Sequence, residues 1–154
     1  MLSLVRRAGV LVTLLSLGAM TALGGPASAT GGGPDGAYYV GQLTGFPFPA
    51  GGARVFRVVP GHRPQVFARG FTNIDIAFDR RGRLHVLEIA TNGILSGDFT
   101  GRLVRVNRNG SRTVLASEGL FAPGGIAIAR DGSIYVANNG ILAGAGQVLR
   151  IPPR

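Results

Sequence analysis

Residues 131–151 read DGSIYVANNGILAGAGQVLRI, and the chain has already written that pattern twice. Residues 81–106 read RGRLHVLEIATNGILSGDFTGRLVRV, and residues 35–58 read DGAYYVGQLTGFPFPAGGARVFRV. Each copy holds two short runs rich in Val, Ile, Leu and aromatics. The first runs cover 37–43, 83–89 and 133–139; the second cover 53–58, 101–106 and 146–151. Ala53 precedes Gly101 by 48 residues, and Gly101 precedes Gly146 by 45. Two further runs occur twice each, 65–71 with 113–120 and 74–82 with 125–132. Such runs, bounded by Gly, Pro, Asn and Asp, read as strands. No helical period is sustained after residue 30.

The turn residues agree. Asn109-Gly110 between two runs predicts a hairpin turn with both central residues at positive φ. Arg81-Gly82 and Asp131-Gly132 read the same way, and Pro60-Gly61 marks a further turn. A four-strand unit recurring at this interval is the signature of a β-propeller blade. Residues 74–78 and 125–129 are apolar on both faces, which suits sheets packed between sheets. A β-sandwich does not require such self-similarity. WD40 blades carry Trp-Asp signatures, and this chain has no Trp.

The expected fold is therefore all-β, with four-stranded antiparallel blades of the β-propeller type. The set is open and incomplete, at about two and a half blades. Residues 37–70 supply the outer three strands of a partial blade, 71–118 a complete blade, and 119–154 the inner three strands of another. Residues 30–36 read as a Gly-rich linker, so no strand is expected there. Open blades leave apolar faces and strand edges bare, and self-association through them is expected.

The N-terminus carries different information. Arg6 and Arg7 precede an apolar run, and Ala27-Ser28-Ala29 forms a small-residue cleavage site. This is the layout of a secretory signal peptide over residues 1–29. The apolar run is shorter than the ~20 residues of a membrane span, and no second run approaches that length. The expected product is secreted and free of the membrane after cleavage.

Composition narrows the chemistry. The 154 residues make one domain at most. The chain has no Cys, which excludes disulfides, thiolate metal sites and a cysteine nucleophile. Net charge is +9, with 16 basic residues, all of them Arg. They are scattered, with one short run at Arg80-Arg81-Gly82-Arg83 and no aromatic interleaving, so nucleic acid is not an expected partner.

Pro123-Gly124-Gly125-Ile126-Ala127, followed by Asp131-Gly132-Ser133-Ile134-Tyr135-Val136, resembles the NHL-type and gluconolactonase-like propellers. Residues 38–58 (YYVGQLTGFPFPAGGARVFRV) with 70–89 (GFTNIDIAFDRRGRLHVLEI) resemble the ScyD/ScyE family of exported propeller proteins. The likeness covers roughly residues 34–154. It implies a propeller fold and export, but no assigned catalytic residues. Full members are more than twice as long and close a ring, so the resemblance implies a truncated member.

Long loops at a channel mouth are where such scaffolds carry function. Here they are residues 43–52, 89–100 and 139–145. The candidate ligand-binding face is Gln42, Phe46, Phe48, Thr72, Asn73, Asp75, Glu88, Asn92, Asp98, Asn138 and Asn139. Glu88, Asn92, Asp98, Asn138 and Asn139 are candidate oxygen ligands for Ca²⁺, the one cofactor considered, with Glu88 and Asn138 singled out. The gluconolactonase likeness implies a divalent metal held by Glu, Asn and Asp, one of them from a Pro-Asn-Gly turn; Gly124 stands at that position.

Asp75 interrupts an apolar strand and requires a partner, for which Thr72, Asn73 or an Arg is expected. His62 and His85 show none. Phe46-Pro47-Phe48-Pro49 reads as a plug beneath its loop, in preference to an exposed ligand contact. No Gly-x-Ser-x-Gly or phosphate loop is present. The expected function is a secreted binding or scaffold protein for a small molecule or an extracellular protein. The alternative is a metal-dependent, gluconolactonase-like hydrolase.

Overall fold

The computed structural model describes residues 27–30 as backbone and residues 33–153, apart from the side chains of Asn73 and Ile74. Arg6, Arg7 and the apolar run lie outside the described residues. The described chain is all-β. Its strands are β1 (Ala27–Thr30), β2 (Tyr38–Gln42), β3 (Ala53–Val58), β4 (Gln65–Phe71), β5 (Asn73–Phe78), β6 (Leu84–Glu88), β7 (Arg102–Val106), β8 (Arg112–Ala116), β9 (Gly125–Ile128), β10 (Ile134–Asn138) and β11 (Gln147–Ile151). One 3-10 turn, Ile94–Ser96, sits in the β6–β7 loop.

The strands form three separate antiparallel sheets. The first orders β1-β2-β3-β4, the second β5-β6-β7-β8, and the third β9-β10-β11. Each is a meander in which chain neighbours pair. Each predicted run from residue 37 onward is a strand. The first sheet differs from expectation, because β1 pairs with β2 in the register Ala27↔Gln42 to Thr30↔Tyr39. Ladder bonds need only main-chain N–H and C=O, so small residues of low strand propensity can still supply a strand. The first sheet thus has four strands where three were expected.

The tight turns also differ. Asn109 is not at positive φ; only Gly110 is, at 79°. The bonds Gly110 N→Asn107 O and Asn107 N→Ser111 O make a turn closed by one left-handed glycine. The turns ending at Gly82 and Gly132 have the same pair of bonds, with φ 69° and 85°. Asx side chains complete them: Asp79 Oδ1 accepts from Arg81 N, Asn109 Oδ1 from Ser111 N, and Asp131 Oδ1 from Ser133 N.

Alternation on β6 organises the core. All five of its residues are buried, because the second sheet is covered on both faces. Leu84 and Val86 join Ile76 and Val104 against Tyr39, Val55 and Phe71 of the first sheet. Leu87 points the other way, joining Leu103 and Leu115 against Ile134 and Val136 of the third. Each fully buried Val or Leu contributes about 2 kcal/mol of transfer free energy. Tyr39 adds an edge-to-face contact with Phe78, ring centroids 4.7 Å apart. The first strand of the second sheet, β5, touches both β1 and β9. The sheets therefore stack with their leading strands together.

Meander topology sends the tight turns to one end of the strands and the long loops to the other. On the face of the third sheet turned away from the second, Tyr135 and Val148 are exposed.

Candidate functional site

Gln42, Glu88 and Asn138 occupy one position in the repeat, the last residue of β2, β6 and β10. Gln42 is half-buried. Glu88 is 1% exposed and Asn138 is buried as well. Glu88 Oε1 accepts the Thr72 N–H at 2.9 Å, where the chain passes from the first sheet to the second. Its Oε2 accepts from Arg102 Nε and Nη2, both at 2.7 Å. Arg102 is the residue opposite Glu88 in the β6–β7 ladder, so register alone brings the two together.

Asn138 does for the next passage what Glu88 does for this one. Its Oδ1 accepts the Phe121 N–H at 2.8 Å, and its Nδ2 donates to Gly119 O at 3.0 Å. Glu88 lies on the Leu84/Val86 side of β6, toward the first sheet. Asn138 lies on the Ile134/Val136 side of β10, toward the second. These two candidate Ca²⁺ ligands therefore serve different gaps and do not converge.

Asp75 is a third tie. The β5–β6 register is irregular between Asn73 and Asp75, and such a bulge re-aims a side chain. Asp75 Oδ1 accepts from Ile76 N at 2.8 Å, and Oδ2 from Ile126 N at 3.0 Å. Among the described residues its partners are thus backbone amides, one from the third sheet, and neither Thr72 nor an Arg. The Asn73 side chain lies outside the described residues. Thr72 is buried and accepts from Gly51 N through Oγ1 at 3.2 Å.

The remaining polar candidates knit their own loops. Asn92 Nδ2 donates to Asp98 Oδ2 at 2.8 Å, and Asp98 Oδ1 accepts from Thr100 N at 2.9 Å. Bonds from the Thr100 side chain and amide and from Asn92 hold the Asp98 carboxyl below its ordinary range. Asn139 takes a left-handed φ of 59° and donates its N–H to Phe121 O.

Beside exposed polar residues such as Asn92 and Thr100, this end shows large apolar side chains to solvent. Phe46 is 81% exposed, Leu95 58%, and Ile141 and Leu142 50% each. Phe46 is therefore no plug; only Phe48 is half-buried, edge-on to Phe46 at 6.4 Å.

A feature missed in the sequence lies at the tight-turn end. A cleft of about 350 Å³ opens there between the second and third sheets. Arg80, Arg81, Arg83, Arg105, Arg130 and His85 line its polar side. Arg83 Nε donates to Asp79 Oδ2 at 2.6 Å. Partial burial pushes the Asp79 carboxyl up, but the Arg83 and Arg81 bonds outweigh it and hold the group below its usual value. His85 is 3% exposed; its Nδ1 donates to Arg83 O at 3.1 Å. Burial lowers the His85 pKa, with the Arg83 carbonyl and Asp79 opposing. The signal in the sequence was the Arg80-Arg81-Gly82-Arg83 run, whose partner wall comes from a turn 50 residues later.

No family model and no curated protein sequence matches the chain.

Proposed function

We propose that the chain is an exported, non-catalytic binding or scaffold module of the β-propeller type, akin to the ScyD/ScyE proteins. Its three stacked sheets, joined through their leading strands, support blade-like packing. The observation that carries the functional reading is the division of labour at the long-loop end. Polar side chains there are spent on the fold, and large apolar ones face outward. Exposed apolar groups on a rigid scaffold suit an extracellular protein or an apolar small molecule. Tyr135 and Val148 on the bare face of the third sheet support self-association as well, which sedimentation would reveal as a mass that rises with concentration.

The hydrolase alternative requires Glu88 to exchange Arg102 and the Thr72 amide for a cation. Calorimetric titration with Ca²⁺, alongside a lactone hydrolysis assay, decides between the readings. Our reading expects no saturable heat at millimolar Ca²⁺ and no turnover. Stoichiometric Ca²⁺ binding that disappears in Glu88→Ala, together with hydrolysis, would replace it with the hydrolase.

A further inference from the structure

We propose that the cleft between the second and third sheets, at the tight-turn end, binds a small amphiphilic anion: a phosphate monoester or carboxylate on a compact apolar body. This inference stands on the cleft alone and does not depend on the propeller reading. At about 350 Å³ the cleft has the volume of a small-ligand site. Its lining combines two chemistries. Leu115, Ile128, Ile134 and Ile151, apolar residues from four strands, supply one part. Five arginines, two acids (Asp79 and Asp131) and the buried His85 supply the other.

The charge is not cancelled within the cleft. Asp79 is held by Arg83, and Asp131 lies 3.6 Å from Arg150. Arg80 donates to the Arg130 carbonyl, which ties the two turns together without consuming a negative charge. The guanidinium groups of Arg81 and Arg130 have no acceptor among the described residues. Guanidinium forks match the paired oxygens of phosphate and carboxylate, and they gain most beside an apolar, poorly hydrated wall.

His85 adds selectivity. Its Nδ1–H is committed to the Arg83 carbonyl, so the neutral ring presents Nε2 as an acceptor. Nε2 stands 4.0 Å from Asp79 Oδ2, beyond hydrogen-bond reach. An acceptor among cations suits a ligand that brings a proton with its charge. A phosphate monoester, whose second pKa is about 6, does so at about pH 6, and a carboxylate does not. The phosphate is therefore expected to bind more tightly.

The test uses untagged protein, whose two histidines, His62 and His85, are followed by proton NMR. Phenyl phosphate, benzoate and benzyl alcohol are titrated in turn at fixed ionic strength. Phenyl phosphate should shift His85 saturably and leave His62 in place, benzoate should act more weakly, and benzyl alcohol should not saturate. His62 lies at another turn, beside Arg57 and Arg63, and so reports indiscriminate anion binding. The double variant Arg81→Ala/Arg130→Ala alters two exposed turn positions. It should weaken phenyl phosphate about tenfold or more with no change in Tm.

Saturable binding of benzoate alone would retain the anion site and reassign its ligand to the carboxylates. The site is overturned by no His85 shift with either anion, by equal shifts of both histidines, or by unchanged affinity in a folded double variant. If that variant unfolds, Arg81→Lys/Arg130→Lys keeps the charge and removes the fork. Undiminished affinity there would also overturn the assignment.

Discussion

Asn138 carries a buried amide whose two ends are both occupied, by Phe121 N–H and Gly119 O. Replacing it with Ala leaves a donor and an acceptor unpaired in the gap between the second and third sheets. Asn138→Ala should cost about 2 kcal/mol in urea unfolding, whereas Asn92→Ala, exposed within one loop, should stay within about 0.5 kcal/mol. Both residues look alike in the sequence: oxygen-bearing side chains at the edge of a long loop. What separates them is which backbone amide lacks a ladder partner nearby, and the amides concerned lie 16–17 residues away in the chain. Glu88 and Asn138 were thus legible as special positions but not as ties. Their equivalence with Gln42 was the available clue, since a position repeated in every sheet points to the fold before it points to a ligand.

Strands from residue 37 onward were legible because local alternation and turn residues specify them. β1 was not, because Ala27–Thr30 has weak strand propensity and Ala27-Ser28-Ala29 reads as a cleavage motif; only its pairing with β2 makes it a strand. Turn positions were legible and turn conformations were not, because one left-handed glycine, with an Asx bond beside it, closes the turns at Gly82, Gly110 and Gly132 without a second positive φ. The glycines differ in consequence. At Gly110 an added Cβ meets nothing within 4 Å, so Gly110→Ala pays only the left-handed backbone, about 1 kcal/mol. At Gly82 the same Cβ would stand 2.9 Å from Pro34 Cβ, packed in from the β1–β2 turn. Gly82→Ala should therefore lose about 2 kcal/mol or more by the same measurement, the clash adding to the backbone strain.

Across the whole molecule, His85 and the shifted aspartates lean the same way. Burial holds His85 below its ordinary 6.5, so as pH falls past that value the unfolded chain takes up a proton that the fold resists. Asp79 sits below 3.8, as do Asp35 bonded to Arg57 and Asp131 bonded to Ser133. Their contribution is present above 3.8 and is lost as pH falls through the lowered values. Between about pH 7 and 9 Tm should be level; it should decline once below 6.5 and again below 3.8, and fall above 10, where burial holds the Tyr39 hydroxyl protonated. His85→Gln should flatten the first decline and leave the second.

The ties between sheets also make one kind of motion visible. The amides of Thr72, Phe121 and Ile126 give their hydrogens to Glu88, Asn138 and Asp75, each across a junction between sheets and none within a ladder. Deuterium enters such an amide when two sheets part, even while both stay paired internally. Exchange at these three positions therefore times the separation of sheets, and exchange at ladder amides times the opening of a sheet. Two clocks run in one molecule, and a single exchange experiment reads both.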